Sequence, residues 1–403
     1  MRLMYLSAAA ELGGAERSLL DILASIRQAQ PSWVLHLLTA ADGPLVARAA
    51  ALGVTTTVEP FGGALSRLGE FGAASGREGY ATLAAKLVLA ALPAAVHVAR
   101  LRQALAAFGP DVVHTNNLKM HVLGAWARRP GAAVVWHLHD YIGARPLTVR
   151  LLRAAAARAA AVVANSESVA EDARAALGAR VRVITVHNAV DLDRFSGSGD
   201  RIDLDALAGL PPAGLVVRVG LVGSLGRWKG HTTFLDALAR LPRDLPIRAY
   251  IIGDALYQTA GSQHSLDDLR RYAARLGLGH RVGFTGFVAR PEDALRALDI
   301  VVHASTSPEP FGLVIAEAMA CGRAVIASDA GGAREIFTPG VDALGHTPGN
   351  ADSLASRIAE LARDPQARLR MGRAGRQTAE RRFDRTRLAT DLVPVYLKAA
   401  AHA

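Results

Sequence analysis

The chain has 403 residues, which suits two domains of ordinary size and exceeds one. Hydrophobic residues make up 51% and charged residues 20%, which excludes a disordered chain, and aromatics at 5% leave core packing to small aliphatic side chains. Lys and Arg number 46 against 36 Asp and Glu, a net charge of +10 that favours anionic partners without choosing among nucleic acid, a membrane face and an acidic small substrate.

The N-terminal run Arg2–Ser7 reads as a buried strand, its apolar core too short for a signal peptide. It leads into Glu11-Leu12-Gly13-Gly14-Ala15-Glu16, where a glycine pair opens a helix over 15–28 and leaves amides exposed to phosphate or sugar oxygens. Taken alone, such a pair is also an ordinary tight turn. Further strands are predicted at 33–39, 111–115, 134–139, 161–165 and 181–186, with a helix over 166–177 capped by Ser166. The most apolar long stretch, 81–99, is interrupted by Lys86, Pro93 and His97. It falls short of the roughly 20 apolar residues of a spanning helix and reads as a soluble or membrane-touching one. His114, Asn116 and Asn117 end one strand, and Trp136-His137-Leu138-His139-Asp140 ends another. His-x-His-Asp contains groups that can ligate a metal, but no second cluster at metal-site spacing accompanies it. Alternate histidines on one strand face are the plainer reading, and Asn188 reads as a turn residue.

A Gly- and Pro-containing patch over 196–214 divides the chain, after which strands are predicted at 215–223, 247–253, 281–286, 300–304 and 324–328. Near-continuous apolar strands alternating with helices predict parallel sheets covered on both faces, and two such sets predict two α/β domains. These are placed at 1–195 and 196–382, with a helical segment 383–403 packing back on the first. Ser265 opens a helix with Asp268 three residues on, close to a capping box. Helices over 352–363, 365–382 and 385–401 close the chain. Cys321 is the only cysteine, which excludes an intrachain disulfide and fits a reducing cytosol. Ligands of open parallel sheets bind beyond the carboxyl ends of the strands, and two facing domains leave a cleft for them.

Two segments carry the chemistry. After the strand 300–304 comes Ser305-Thr306-Ser307-Pro308-Glu309-Pro310-Phe311-Gly312-Leu313, running on to Glu317. Glu309 falls in a loop, and Glu317 about one and a half turns inside a helix that starts near Phe311. The amides of Phe311, Gly312 and Leu313 point back toward the strand end, where an anionic or polar ligand accepts their hydrogen bonds. Gly312 lets a ligand approach the backbone. Two ionised carboxylates are pure acceptors and suit a ligand rich in hydroxyls. The plainer alternative makes Glu309 a helix cap and Glu317 a surface residue. The second segment is Gly223-Ser224-Leu225-Gly226-Arg227-Trp228-Lys229-Gly230, which does not match the Gly-x4-Gly-Lys-Ser/Thr phosphate loop. Lys229 sits at a helix start, where positive charge needs a compensating anion.

The acidic loop, Pro-Phe-Gly, the helix ending Glu317-Ala318-Met319-Ala320-Cys321-Gly322, and the strand 324–328 with Gly331-Gly332 and Glu335 resemble the Glu-x7-Glu signature of family 4 glycosyltransferases. The resemblance runs from the N-terminal glycine pair to the final helices. It implies the GT-B fold, two Rossmann-like doubly wound parallel-sheet domains facing a central cleft, with donor on the second and acceptor on the first. It implies that Glu309 contacts the donor sugar, Glu317 holds the ribose hydroxyls, Phe311, Gly312 and Leu313 offer amides, and Lys229 neutralises the pyrophosphate. Ser224 stands where the family commonly has an arginine, and Arg227 is near enough in sequence to replace it. Gly253 counts among the donor-binding positions, Gly13 and Gly14 match a loop that closes over the donor, and His139 matches a histidine facing the sugar. Glu309, Lys229 and His139 are thus the expected catalytic residues, with His114, Asn116 and Asn117 toward the acceptor.

The implied activity is retaining transfer of a hexose-type sugar from a nucleoside-diphosphate sugar to a hydroxyl of a glycan, lipid-linked or small-molecule acceptor. It needs no metal or other cofactor and takes place in the cytoplasm, with peripheral contact at the inner membrane face as a further expectation. Rivals are a sugar-nucleotide epimerase or phosphorylase on the same fold, and a non-catalytic carbohydrate- or membrane-surface module. Intact Lys229, Glu309 and Glu317 argue against the last. Sparse aromatics argue against nucleic acid.

Overall fold

A computed structural model describes residues 1–63, 65, 77–144, 146–255 and 262–403. The chain forms two compact units, Met1–Asn188 with Arg385–Ala403, and Ala189–Asp384.

The first unit is built on β1 (Arg2–Ser7), β2 (Val34–Thr39), β3 (Thr55–Val58), β4 (Val112–Thr115), β5 (Ala133–Leu138), β6 (Ala161–Ala164) and β7 (Val183–Thr185). Their order is β3-β2-β1-β4-β5-β6-β7, with every neighbouring pair parallel. Leu3, Met4, Tyr5 and Leu6 are all fully buried, although alternate side chains point to opposite faces. Both faces of the sheet are therefore covered, which is why the strands read as continuous apolar runs. The strand order reverses between β1 and β4, the switch point at which such sheets receive a ligand.

The helix Arg387–Ala400 belongs to this unit and packs on the helix Gly14–Ala29 and on β4 and β5. Its start is held by Ser25, whose hydroxyl donates to the Thr386 carbonyl (3.1 Å) and accepts from the Ala389 amide (2.9 Å). Asn188 is buried, with Oδ1 accepting from the Ser18 hydroxyl at 2.8 Å, so it tethers the end of the unit's first segment rather than only turning the chain.

The second unit contains β8 (Val217–Val222), β9 (Ile247–Ile252), β10 (Val282–Gly286), β11 (Ile300–His303), β12 (Ala324–Ser328) and β13 (Leu344–His346). Their order is β10-β9-β8-β11-β12-β13, again all parallel, and it reverses between β8 and β11. Residues 189–195, expected with the first domain, belong here. Val190 and Phe195 are buried in the same apolar cluster as Phe311 and Phe383, and the Val190 amide donates to the Phe383 carbonyl at 2.7 Å. The Ser265–Asp268 capping box is present, with reciprocal side-chain to backbone bonds.

Two strands and several helices among the described residues, including Pro44–Ala51, Leu118–Ala127, Pro146–Ala156 and Pro291–Ala297, have no counterpart in the sequence reading. β3 (Thr-Thr-Thr-Val) and β13 (Leu-Gly-His) are short edge strands, too polar to stand out as apolar runs. The helix Pro44–Ala51 is eight residues long and starts at a proline.

Candidate functional site

In the second unit, loops leave β8 and β11 side by side at the strand reversal. The first loop ends in the 3-10 turn Arg227–Lys229, and Gly230 then caps the helix His231–Arg240 with φ +74°. A Cβ at Gly230 would stand 1.9 Å from the Ala304 carbonyl oxygen, so only glycine allows the two loops this approach. Thr306 stitches them together, its amide donating to the Trp228 carbonyl at 2.8 Å. Gly253 does the same for β9: its φ is +140°, and a Cβ there would lie 2.0 Å from the Gly223 carbonyl oxygen.

This approach delivers Lys229 to Glu309. The ammonium Nζ lies 2.5 Å from Oε1, with side chains 25% and 6% exposed. Ser305 Oγ donates to the same Oε1 at 2.6 Å, and His303 Nε2 stands 3.2 Å from Oε2. His303 Nδ1 accepts from the Ser328 amide at 3.3 Å, which leaves Nε2 as the nitrogen that donates toward Glu309. The Ser328 hydroxyl donates to the Ser305 carbonyl at 2.7 Å, and the Glu309 carbonyl accepts from the Gly332 amide at 2.8 Å. Burial alone raises the pKa of Glu309. The Lys229 ammonium and then His303 outweigh it and hold the carboxyl well below the usual carboxylate range. The site thus contains a permanent, oriented anion and a cation that neutralises it.

The helix after Glu309 is Leu313–Ala320, with Gly312 as its cap and no side-chain capping bond. It starts two residues later than predicted, so Glu317 lies about one turn inside. Glu309 and Glu317 are both buried, which removes the reading of one as a cap and the other as a surface group. Phe311 is buried, Ser224 is buried and Arg227 is exposed on the turn.

In the first unit, Gly13 caps the helix Gly14–Ala29 without a side-chain bond. Asn116 is fully buried at the end of β4, and its Nδ2 donates to the Ala15 carbonyl at 3.1 Å. That fixes the amide, so Oδ1 accepts from His139 Nε2 at 2.9 Å. Among the described residues His139 Nδ1 has no partner, and burial lowers the ring's pKa to about 4. His139 is therefore a neutral ring offering one lone pair. Asn117 caps the helix Leu118–Ala127 by accepting from the Met120 amide at 3.3 Å.

His114 does not line a site. It is fully buried, with Nδ1 2.9 Å from the Tyr396 hydroxyl and its ring packed on Tyr5 and His137. Its expected acceptor-side role gives way to core packing. Sequence reasoning also missed His303 and Ser305, two apart in extended chain and so facing one way, and the orienting role of Asn116.

Four histidines, 114, 121, 137 and 139, lie together in this unit. Burial pushes His114 down to about 3 and His139 to about 4, and holds His121 and His137 well below the usual value. All are neutral when folded, whereas the unfolded chain takes up protons near 6.5. Each therefore costs about 1.4 kcal/mol of stability per pH unit below roughly 6.5, until its folded pKa is reached. The melting temperature is expected to be level above about pH 7 and to fall steeply from about 6.5 to about 5. A scanning series showing no change over that interval would contradict the burial of these rings.

Residues 12–194 match the family model described as glycosyltransferase family 4, and residues 217–378 the one described as glycosyl transferases group 1. D-inositol 3-phosphate glycosyltransferase 1 of Catenulispora acidiphila is 32% identical over 314 residues, 72% of this chain and 72% of that protein. The lipopolysaccharide core biosynthesis glycosyltransferase LpsE of Rhizobium meliloti is 29% identical over 283 residues, 66% of this chain and 73% of that one. Among solved structures, HepE of Anabaena in complex with UDP-glucose is similar at a TM-score of 0.78 and 27% identity, covering 98% of this chain and 99% of HepE.

Proposed function

The chain belongs to the family 4 glycosyltransferases, and on that premise we propose that it is a retaining, metal-independent hexosyltransferase. Its donor is a nucleoside-diphosphate sugar, and its acceptor is a hydroxyl of a glycan, a lipid-linked sugar or a small molecule. UDP-glucose is the first donor to test, because HepE was solved with it.

The observation that carries this reading is the Lys229–Glu309 pair at the β8–β11 reversal. A diphosphate arriving there replaces the carboxylate as the partner of Lys229. Glu309, still oriented by Ser305 and His303, then accepts hydrogen bonds from sugar hydroxyls. The amides of Phe311, Gly312 and Leu313 face the same anion. Glu317 takes the ribose hydroxyls, and Arg227 stands in for the arginine missing at Ser224; by the family pattern, Gly13, Gly14 and His139 are assigned to the sugar. The bond from the anomeric carbon to the phosphate oxygen breaks as the acceptor oxygen bonds to the same face. The departing phosphate oxygen takes the acceptor's proton, and configuration is retained.

Incubation with UDP-glucose and a set of hydroxyl acceptors, with and without EDTA, tests this by proton NMR. An α-linked product at equal rates in both samples is expected. A β-linked product would refute retention, loss of turnover with EDTA would refute the metal-free reading, and no nucleotide release from any sugar nucleotide would refute the transferase.

Glu317→Ala separates binding from chemistry. Ribose hydroxyls change little during reaction, so their loss is felt alike in ground and transition states. Two hydrogen bonds to a charged acceptor make donor affinity fall about tenfold to a hundredfold, while turnover at saturation changes little. Unaltered donor affinity with collapsed turnover would remove Glu317 from the ribose.

A further inference from the structure

The apolar stretch 81–99 lies in the helix Arg77–Phe108 of the first unit. One side of this helix is buried through Ala90, His97, Leu101 and Leu105. The other presents Val88, Leu89, Leu92 and Val96, exposed to 74%, 69%, 75% and 45%, at spacings of one helical face. Scattered exposed aliphatics are ordinary, but a continuous stripe of them is not.

The helix Leu118–Ala127 packs against this one, and Pro146–Ala156 packs against that. From residue 85 to the end of the first helix, and along the whole of the other two, there is no Asp or Glu. The same segments and the turn that follows carry Arg102, Lys119, Arg150, Arg153 and Arg158. At the edge Arg100 is paired with Glu59 at 2.9 Å, and beyond these segments carboxylates return on the next helix, Glu167–Leu177. Between the basic groups stands Trp126, 40% exposed, with the Arg158 guanidinium 4.0 Å from its ring centroid and Arg102 donating to its carbonyl at 2.8 Å. Nearly all of the chain's net charge of +10 falls in this unit. No described helix is long and apolar enough to cross a membrane.

We propose that this three-helix face lies flat on an anionic lipid bilayer. Val88, Leu89, Leu92 and Val96 enter the acyl boundary, Trp126 sits at headgroup level, and the arginines meet lipid phosphates. A protein partner would need acidic groups around an apolar ridge, whereas an anionic bilayer supplies phosphate and acyl chain at the matching depths along the whole face. The inference does not depend on the transferase reading.

Sedimentation of the full chain with vesicles tests it. Equal parts phosphatidylglycerol and phosphatidylcholine are compared with phosphatidylcholine alone, each in low and high salt. Binding to the anionic vesicles is expected, falling at least about tenfold in high salt or without phosphatidylglycerol. The combined variant Val88→Ser, Leu89→Ser and Leu92→Ser keeps the charge. It is expected to bind at least about tenfold more weakly, since each exposed aliphatic side chain withdrawn from water is worth up to about tenfold. Its melting temperature reports folding, and if that drops, Leu92→Ser alone serves. Equal sedimentation with and without anionic lipid, or an unaffected variant, overturns the proposal. So does a concentration-dependent dimer that the variant converts to monomer while neither binds vesicles, which would assign the face to a second copy of the chain.

Discussion

Replacing Lys229 by alanine is expected to lower kcat/KM by about a hundredfold or more, with kcat bearing much of the loss. The diphosphate gains negative charge as its bond to the sugar breaks, so a fixed ammonium is worth more in the transition state than in the bound ground state. Losing a well-placed charged contact of this kind costs on the order of 3 kcal/mol. Glu309 still accepts from Ser305 and faces the His303 N–H, so its charge is not abandoned in the interior. Lys229 is itself a quarter exposed, and the variant is expected to fold with modestly reduced stability. Lys229→Arg restores activity only in part, because a planar guanidinium cannot take the place of a compact ammonium beside Glu309 and Ser305. Steady-state kinetics on folded variants give the answer. Near-normal kcat and KM in Lys229→Ala would end the pyrophosphate assignment.

Glu309→Gln is expected to behave differently. The substitution preserves shape and removes the charge, so kcat falls on the order of a hundredfold through the loss of a charged acceptor at the reacting sugar. Donor affinity changes by less than about tenfold, because two effects oppose each other. Hydrogen bonds from sugar hydroxyls to a neutral amide are weaker, but Lys229 no longer has to leave a carboxylate 2.5 Å away to meet the diphosphate. Calorimetric donor affinity and kcat, measured on the same preparation, separate the two. A fall in affinity as large as the fall in kcat would mean that the Lys229–Glu309 pair does not compete with the donor.

The central strands of each sheet are legible because they are buried on both faces. Leu3 to Leu6 and Ile300 to Val302 can be read with no knowledge of their neighbours. β3 and β13 are not, since an edge strand needs less apolar material and is defined by its partner. The carboxylates and the lysine are legible as types in a pattern. Their pairing is not, because Lys229 and Glu309 are 80 residues apart and meet only through the close approach of Gly230 to Ala304. The orientation of His303 is set by the Ser328 amide on the neighbouring strand, which local spacing does not show. His114 is misassigned for a similar reason: its partner Tyr396 lies 282 residues away, on a helix whose docking a strand pattern does not reveal. The stretch 81–99 shows its apolarity in sequence, whereas the exposure of one side follows only from how the helix lies on its unit.

The central claim is that Lys229 and Glu317 hold a nucleoside-diphosphate sugar beyond β8 and β11. Thermal melting of the wild-type chain and of a Lys229→Ala, Glu317→Ala double variant, each with a panel of UDP-, GDP- and ADP-sugars, tests it most directly. A ligand that binds only the folded chain raises its melting temperature by mass action. At least one sugar nucleotide is expected to raise the wild-type melting temperature while leaving that of the double variant unmoved. No shift with any sugar nucleotide, or an equal shift in both chains, would contradict the account.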